Sequence, residues 1–243
     1  MRSEIRELST GEVVISTRRL PSTFRALRHR NFRLFFFGQM ISLVGTWMQH
    51  IALQWLVYRL TGSATMLGTI NLLSALPLIP LSLWGGSLAD RFPRRAIVIM
   101  TQTVMMVQAF ILAILTWTGV VHVWHVLLLA LLHASATALD IPARQAFLVE
   151  MVEGKEDLTN AIGLNSALFN GARAVGPALA GVAVATTGEA GAFFINGVSF
   201  LAVISSLLMM RQAIPDLWSV TRCFPSARGG GIYVEPTDHH GSH

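Results

Sequence analysis

Six long apolar stretches dominate this sequence and limit what it can fold into. A helix needs about 20 mostly apolar residues to cross a bilayer, and in lipid only helices and closed barrels satisfy the backbone. The stretches lack the alternation that is typical of barrel strands. The sequence therefore predicts an all-α membrane protein with six transmembrane helices, over residues 34–58, 64–88, 96–121, 122–139, 160–187 and 191–210.

Charged residues are scarce and clustered, which excludes an ordinary soluble domain. They make up 13% of the 243 positions, whereas soluble domains carry roughly a quarter. Eight of the 18 Lys and Arg residues lie within residues 2–33. We interpret the net charge of +5 as basic segments that face an anionic lipid bilayer, and we expect no nucleic-acid partner. The single cysteine, Cys223, excludes a disulfide or zinc-binding pattern, and we expect no metal site.

The distribution of Lys and Arg between the loops predicts the orientation. The N-terminal segment, the second and fourth loops and the tail are basic, whereas the opposite side carries only Arg59. By the positive-inside rule, we expect a multi-pass protein of the bacterial inner membrane with both termini in the cytoplasm. The predicted units are a basic cytoplasmic segment (1–31), a six-helix transmembrane domain (32–210) and a flexible cytoplasmic tail (211–243).

The second loop carries the most specific motif in the sequence. Glycines before the loop allow two helices to approach closely, Asp90 places a negative charge at the membrane edge, and arginines offer it partners. A plain positive-inside loop is the alternative, but it explains only the arginines. The motif reads Gly86-Ser87-Leu88-Ala89-Asp90-Arg91-Phe92-Pro93-Arg94-Arg95.

This motif closely resembles the signature between the second and third helices of the major facilitator superfamily of transporters. Pro93 stands where the family usually has glycine. The resemblance implies a cytoplasmic gate formed by Gly86, Asp90, Arg91, Arg94 and Arg95. It also implies that Arg94 bridges Asp90 and a carboxylate at the end of the fourth helix, which would be Asp140.

A second motif lies in the fifth apolar stretch, around Gly171, Gly176, Pro177 and Gly181. It is similar to the glycine-proline motif of the superfamily's exporters. Ala172, Gly176 and Ala180 recur at every fourth position, line one helix face and favour tight packing, and a proline can bend a helix. Ordinary small-residue packing without a functional role is the alternative.

Two further segments, residues 140–147 and 158–166, resemble the exporter branch that includes the enterobactin exporter, whose members are called transmembrane secretion effectors. The superfamily fold has twelve helices in two halves, so the resemblance implies one six-helix half of that fold. It implies a proton-coupled efflux protein that exports a small amphiphilic substrate. A second half or a homodimer would complete the cavity.

Two other functions remain to be weighed. One alternative is a non-transporting half-transporter remnant that acts as a dimerising or regulatory membrane partner. An enzyme is not expected, because Gly197-Val198-Ser199-Phe200 lacks the second glycine of a nucleophile elbow. The sequence also lacks a nucleotide-binding Gly-x-x-x-x-Gly-Lys motif, so we expect no cofactor and an ion gradient as the energy source.

Four polar residues inside the spans are candidates for the substrate or proton pathway: Arg173, Gln49, His50 and Gln54. An arginine at a helix centre costs about 2.5–3.5 kcal/mol on insertion scales, so Arg173 is expected to face protein or water. It would bind an anionic substrate or form a structural pair. The other three would line the pathway or form plain hydrogen bonds between helices.

Overall fold

The described part of the chain is built from helices. The computed structural model describes residues 22–82, 84, 92–152 and 155–210, and the expectation of an all-helical chain is confirmed for these residues. Gly86, Asp90 and Arg91, most of segment 1–31 and the whole of 211–243 lie outside them. The elements are a 3-10 helix (Ser22–Arg28), α1 (Arg30–Thr61), α2 (Ala64–Ala75), α3 (Arg94–Trp117), α4 (Val123–Glu150) and α5 (Lys155–Met209).

Four described helices are long and apolar enough to cross a membrane, and they are Ala64–Ser82, Arg94–Trp117, Val123–Glu150 and Glu156–Met209. The first of these consists of α2, a turn at residues 76 and 77, and the helical residues that follow up to Ser82. The helix α1 has 32 residues, but glutamines and His50 interrupt its apolar sequence. Large apolar side chains cover the exterior; Leu72 is 66% and Ile79 is 73% exposed. Such a surface fits lipid rather than water.

The long helix α5 is broken at Gly188, whose φ of 72° and ψ of 179° are not helical. An unbroken helix of 55 residues would measure about 80 Å, far more than the roughly 30 Å hydrocarbon core of a bilayer. We call residues 155–187 the first arm and residues 189–209 the second arm. The break falls at the predicted boundary between the fifth and sixth spans.

The two arms run in opposite directions along α1. The first arm is parallel to it, because the backbone amide of Ala26 bonds Asn160 and because Trp47 contacts Gly176. The second arm is antiparallel, as two pairs of residues show: Gly38 faces Ser206, and Gly45 faces Ser199. The second arm therefore returns along α1 from the far end of the first, and small residues on α1 let its backbone approach.

Charged pairs mark the two ends of this bundle. At one end, Arg28 lies 2.6 Å from the carboxylate of Asp157, joining the end of the 3-10 helix, just before α1, to the start of α5. At the other end, Arg59 lies 2.9 Å from Glu189, joining the end of α1 to the start of the second arm. Arg95 donates to the carbonyl of Leu208 at 3.3 Å, so the start of α3 lies beside the end of the second arm.

The fourth helix is longer than the sequence predicts. The predicted fourth span ends at residue 139, whereas α4 continues through Pro142 to Glu150. The predicted end at residue 139 is wrong, because Asp140 and Arg144, the charged residues that follow the apolar stretch, lie in the helix and are sheltered. In the fold these two charges neutralise one another inside the bundle. Asp140 consequently lies within α4 rather than at its end.

Candidate functional site

A cavity of about 250 Å³ lies between α1, α3, α4 and both arms of α5, and we call it the central cavity. Three aromatic side chains form the apolar wall of this cavity: Trp47, Phe169 and Phe200. The polar lining includes the buried carboxylate of Asp140 and the partly buried guanidinium of Arg144, both on α4. The lining residues are Gln39, Ser42, Leu43, Thr46, Trp47, His50, Gln102, Met105, His133, Thr137, Asp140, Ile141, Arg144, Phe169 and Phe200.

Asp140 is the buried acid of the central cavity, with 2% of its surface exposed. Its Oδ1 atom accepts hydrogen bonds from the Thr101 hydroxyl at 2.8 Å and the Gln102 amide at 3.2 Å. Its Oδ2 atom lies 3.3 Å from Nε of Arg144, one turn later on α4. A carboxylate charge is costly when it is buried away from water. Donors from α3 and α4 stabilise the charge of Asp140 at this position.

Three polar atoms of the central cavity have no hydrogen-bond partner in the described structure: Oε1 of Gln39, Oε1 of Gln102 and Nδ1 of His133. Gln39 and Gln102 are 1% and 2% exposed. A buried polar group without a partner costs about 1–3 kcal/mol. A bound molecule that offers hydrogen bonds would remove this cost, so the cavity is chemically suited to a polar ligand.

A second cavity of about 310 Å³ shares Leu43, Ile141, Arg144 and Phe169 with the central cavity, and we call it the side cavity. Its polar lining includes Gln145 from α4 and Asn165, Ser166 and Asn170 from the first arm of α5. The guanidinium of Arg144 therefore borders both spaces. Polar groups continue from the buried Asp140 to the first arm of α5.

The predicted pathway residues of α1 occupy three different environments. Gln49 is buried, donates to Gln108 at 3.1 Å and accepts from Asn196 at 2.8 Å, so it joins α1 to α3 and to the second arm. Gln54 donates to Asn71 of α2 at 2.8 Å on the exposed side. Of the three, only His50 lines the central cavity. The two glutamines are helix-to-helix contacts.

Arg173 lies on an exposed face of the first arm of α5. Its guanidinium carbon is 5.5 Å from the centroid of the Trp47 ring, a distance at which a cation is attracted to an aromatic face. Trp47 also contacts Phe169, with ring centroids 5.7 Å apart. Arg173 therefore adjoins the aromatic wall of the central cavity rather than an acidic side chain.

The expected bridge between Arg94 and Asp140 is wrong. Arg94 instead donates to Glu150 at 2.8 Å, and its second contact is the carbonyl of Ala146 at 3.4 Å. Because α4 continues beyond Asp140, Glu150 is the residue that reaches the level of Arg94. The contribution of Asp90 to this gate falls outside the described residues, as do those of Gly86 and Arg91.

The glycine-proline segment packs through one of its three glycines. A Cβ atom added to Gly176 would overlap Cβ of Trp47, so α1 approaches the first arm closely there. Within the described structure, nothing lies near the position of an added Cβ at Gly171 or Gly181. The first arm stays helical through Pro177, and the break at Gly188 comes three turns later.

Sequence reasoning missed Gln39, Gln102 and Arg144 as site residues. Two signals were present. Asp140 and Arg144 are separated by four positions, which places opposite charges on one helix face. Gln39 and Gln102 interrupt apolar helices, where polar side chains need partners. Their convergence on one cavity depends on how the helices pack, which the sequence does not display.

Comparison with known proteins gives the family. The profile of the transmembrane secretion effector family matches residues 21–224. The chain is 28% identical over 177 residues to the staphyloferrin A transporter of Staphylococcus aureus, covering 72% of this chain and 44% of that protein. It is 27% identical over 194 residues to macrolide efflux protein A of Streptococcus pyogenes, covering 78% and 47%.

A third relative is the multidrug efflux pump Tap of Mycobacterium tuberculosis, 28% identical over 171 residues, which is 69% of this chain and 41% of the pump. The chain therefore spans less than half the length of these curated relatives. No solved structure matches it. Because the family profile covers most of the sequence, the chain belongs to the transmembrane secretion effector family of major facilitator superfamily transporters.

Proposed function

We propose that this chain is one six-helix half of a proton-coupled exporter of small amphiphilic molecules. The observation that carries the proposal is the buried Asp140, held by Thr101, Gln102 and Arg144 on the wall of the central cavity. Acids buried within membrane helices are costly and mark ion or substrate pathways. Membership of a transporter family and relatives that are efflux proteins support this assignment.

Asp140 is the proposed proton acceptor. As a carboxylate it balances the charge of Arg144, 3.3 Å away. Protonation would cancel this attraction and free the guanidinium to bind another acceptor. Proton binding and substrate binding would then be linked through Arg144, which borders both the central and the side cavity.

The lining of the central cavity supports a small amphiphilic substrate. Trp47, Phe169 and Phe200 offer apolar surface, whereas Gln39 and Gln102 offer free polar atoms. The volume of about 250 Å³ is below the usual range of roughly 300–1,000 Å³ for ligand pockets. The transported molecule is therefore small, or one part of it enters this half while the rest meets a second half or a homodimer partner.

The remaining sequence-based expectations are part of the same proposal. Six spans place both termini in the cytoplasm, with a basic segment at 1–31 and a tail at 211–243. The segment 86–95 forms the cytoplasmic gate, with Arg94 and Arg95 bound to α4 and α5. His50, on the cavity wall, belongs to the pathway.

Everted membrane vesicles from an efflux-deficient bacterium that produces this chain test the proposal. A pH gradient, acidic inside, should drive accumulation of a macrolide or of staphyloferrin A, the molecules named for two relatives. A protonophore and the Asp140→Asn variant should each abolish accumulation. Undiminished accumulation by Asp140→Asn would exclude Asp140 as the proton acceptor, and accumulation without a gradient would exclude proton coupling.

A further inference from the structure

Arg173 lies near the midpoint of the predicted fifth span, residues 160–187. It lies thirteen positions after the start of this span, a distance of about 20 Å along the helix. An arginine side chain cannot cover that distance to reach a lipid headgroup. Its charge therefore requires water, an anion or an acidic side chain within the membrane.

No acidic side chain in the described ranges is left for Arg173. Five acids are described, and each already has at least one basic partner within 4 Å. The pairs are Asp140 with Arg144, Glu150 with Arg94, Glu156 with Arg25, Asp157 with Arg25, Arg28 and His29, and Glu189 with Arg59. A structural ion pair for Arg173 is therefore absent from this part of the chain.

The contact with Trp47 leaves the hydrogen-bonding edge of Arg173 available. Attraction between a cation and an aromatic ring uses the charge of the guanidinium and none of its N–H donors, so these donors stay available for hydrogen bonds. Those donors match the geometry of a carboxylate or phosphate. Trp47 and Phe169 meet edge to face, with their ring planes at 74°, and both side chains line the central cavity.

Polar groups lead from the side cavity towards Arg173. Ser166 and Asn170 line that cavity and precede Arg173 by seven and three positions, so the three side chains share one helix face. All three residues are exposed in the chain. A molecule in the side cavity can thus extend along this face to the guanidinium.

We infer that the chain binds an organic anion whose carboxylate or phosphate group contacts Arg173 and whose apolar part packs against Trp47 and Phe169. This inference rests on the proposed export function, because it names the class of molecule that is exported. The anion supplies the charge that the described acids do not. The aromatic wall supplies the apolar surface.

Binding to the full-length chain in lipid nanodiscs tests this inference with three probes of one shape. The probes are 2-naphthoate, 2-naphthylmethylammonium and 2-naphthylmethanol, and empty nanodiscs correct for partitioning into lipid. Because a hydrogen bond to a charged group is worth about 1.5–3 kcal/mol, 2-naphthoate should bind about tenfold or more tightly than the other two. Equal affinities or a preference for the ammonium would overturn the inference.

Variants separate the two parts of the site. Arg173→Gln should remove the preference for 2-naphthoate, whereas Arg173→Lys should keep part of it, since lysine retains the charge but not the planar fork. Phe169→Leu should weaken all three probes alike. Arg59→Gln is the matched control, because Arg59 is paired with Glu189 at the end of α1, and it should leave the preference unchanged.

The binding assay needs no gradient, so its outcome is independent of export. A preference for 2-naphthoate without accumulation in vesicles would support the anion site and contradict the export function. Accumulation without that preference would support export and contradict the anion site. An unchanged preference in Arg173→Gln that folds like the wild type would assign the anion to another residue.

Discussion

The Nε atom of Arg144 lies 3.3 Å from Oδ2 of Asp140, one turn earlier on the same face of α4. Both side chains are sheltered, with 16% and 3% of their surfaces exposed. This pair explains why α4 continues through two charged residues. Each charge neutralises the other, and Thr101 and Gln102 of α3 bind the remaining carboxylate oxygen.

Replacing Asp140 with asparagine should lower the free energy of unfolding by about 3 kcal/mol, because removing one partner of a buried pair leaves the other charge uncompensated. The double variant Asp140→Asn/Arg144→Gln should be more stable than the sum of the two single variants indicates. Thermal unfolding in detergent measures these differences. The coupling should be about 0.5–3 kcal/mol.

Two controls accompany this cycle. Glu150→Gln breaks the ion pair between Glu150 and Arg94, whose side chains are 51% and 32% exposed, respectively. Because this pair is more exposed, its loss should lower the free energy of unfolding by less than about 1 kcal/mol. Asp140→Asn and Arg94→Gln should be additive, since these residues do not share a contact. Strict additivity of Asp140→Asn and Arg144→Gln would contradict the pairing.

Gln49 and Gln54 should respond very differently to leucine. Gln49→Leu leaves the buried amides of Gln108 and Asn196 without their partner, and each loss costs about 1–3 kcal/mol. Gln54→Leu removes an exposed hydrogen bond to Asn71 and should change stability by less than about 0.5 kcal/mol. Equal losses in thermal unfolding would mean that the buried network contributes nothing.

The contrast between these glutamines shows where sequence reasoning succeeds and where it stops. The lengths of the apolar runs are a local property, and they predicted helices and the boundary between residues 187 and 191 at which α5 breaks. The role of Gln49 depends on Asn196, which lies 147 positions later. Both glutamines interrupt the same apolar helix, so local pattern alone assigns them the same role.

The end of α4 shows the same limit for charged residues. Asp140, Pro142 and Arg144 are typical of a loop when each is considered alone. Only the packing of α3 against α4 supplies Thr101 and Gln102 as donors to the carboxylate. The side chains of the central cavity converge for the same reason, since they come from four separate helices.

Adding a methyl group to Gly176 should destabilise the bundle, whereas the same change at Gly171 should not. The new Cβ at Gly176 would overlap Trp47, and overpacking costs about 1–3 kcal/mol. At Gly171 the site is open, and alanine is a better helix former than glycine by about 1 kcal/mol. Thermal unfolding of Gly176→Ala and Gly171→Ala gives the comparison. A more stable Gly176→Ala would show that α1 and the first arm are not in close contact.

Reporter fusions should place the two ends of the bundle on opposite sides of the membrane. The contact between Arg59 and Glu189 groups the end of α1 with the start of the second arm, and the contact between Arg28 and Asp157 groups the starts of α1 and α5 at the other end. The positive-inside rule assigns the second group to the cytoplasm. Alkaline phosphatase, which is active only outside the cytoplasm, should therefore be active when fused after residue 59 or 188. It should be inactive after residue 94 or 211. Activity after residue 94 with none after residue 59 would show that the orientation is the reverse of the predicted one. Equal activity after residues 59 and 94 would show that the chain does not cross the membrane between these two positions.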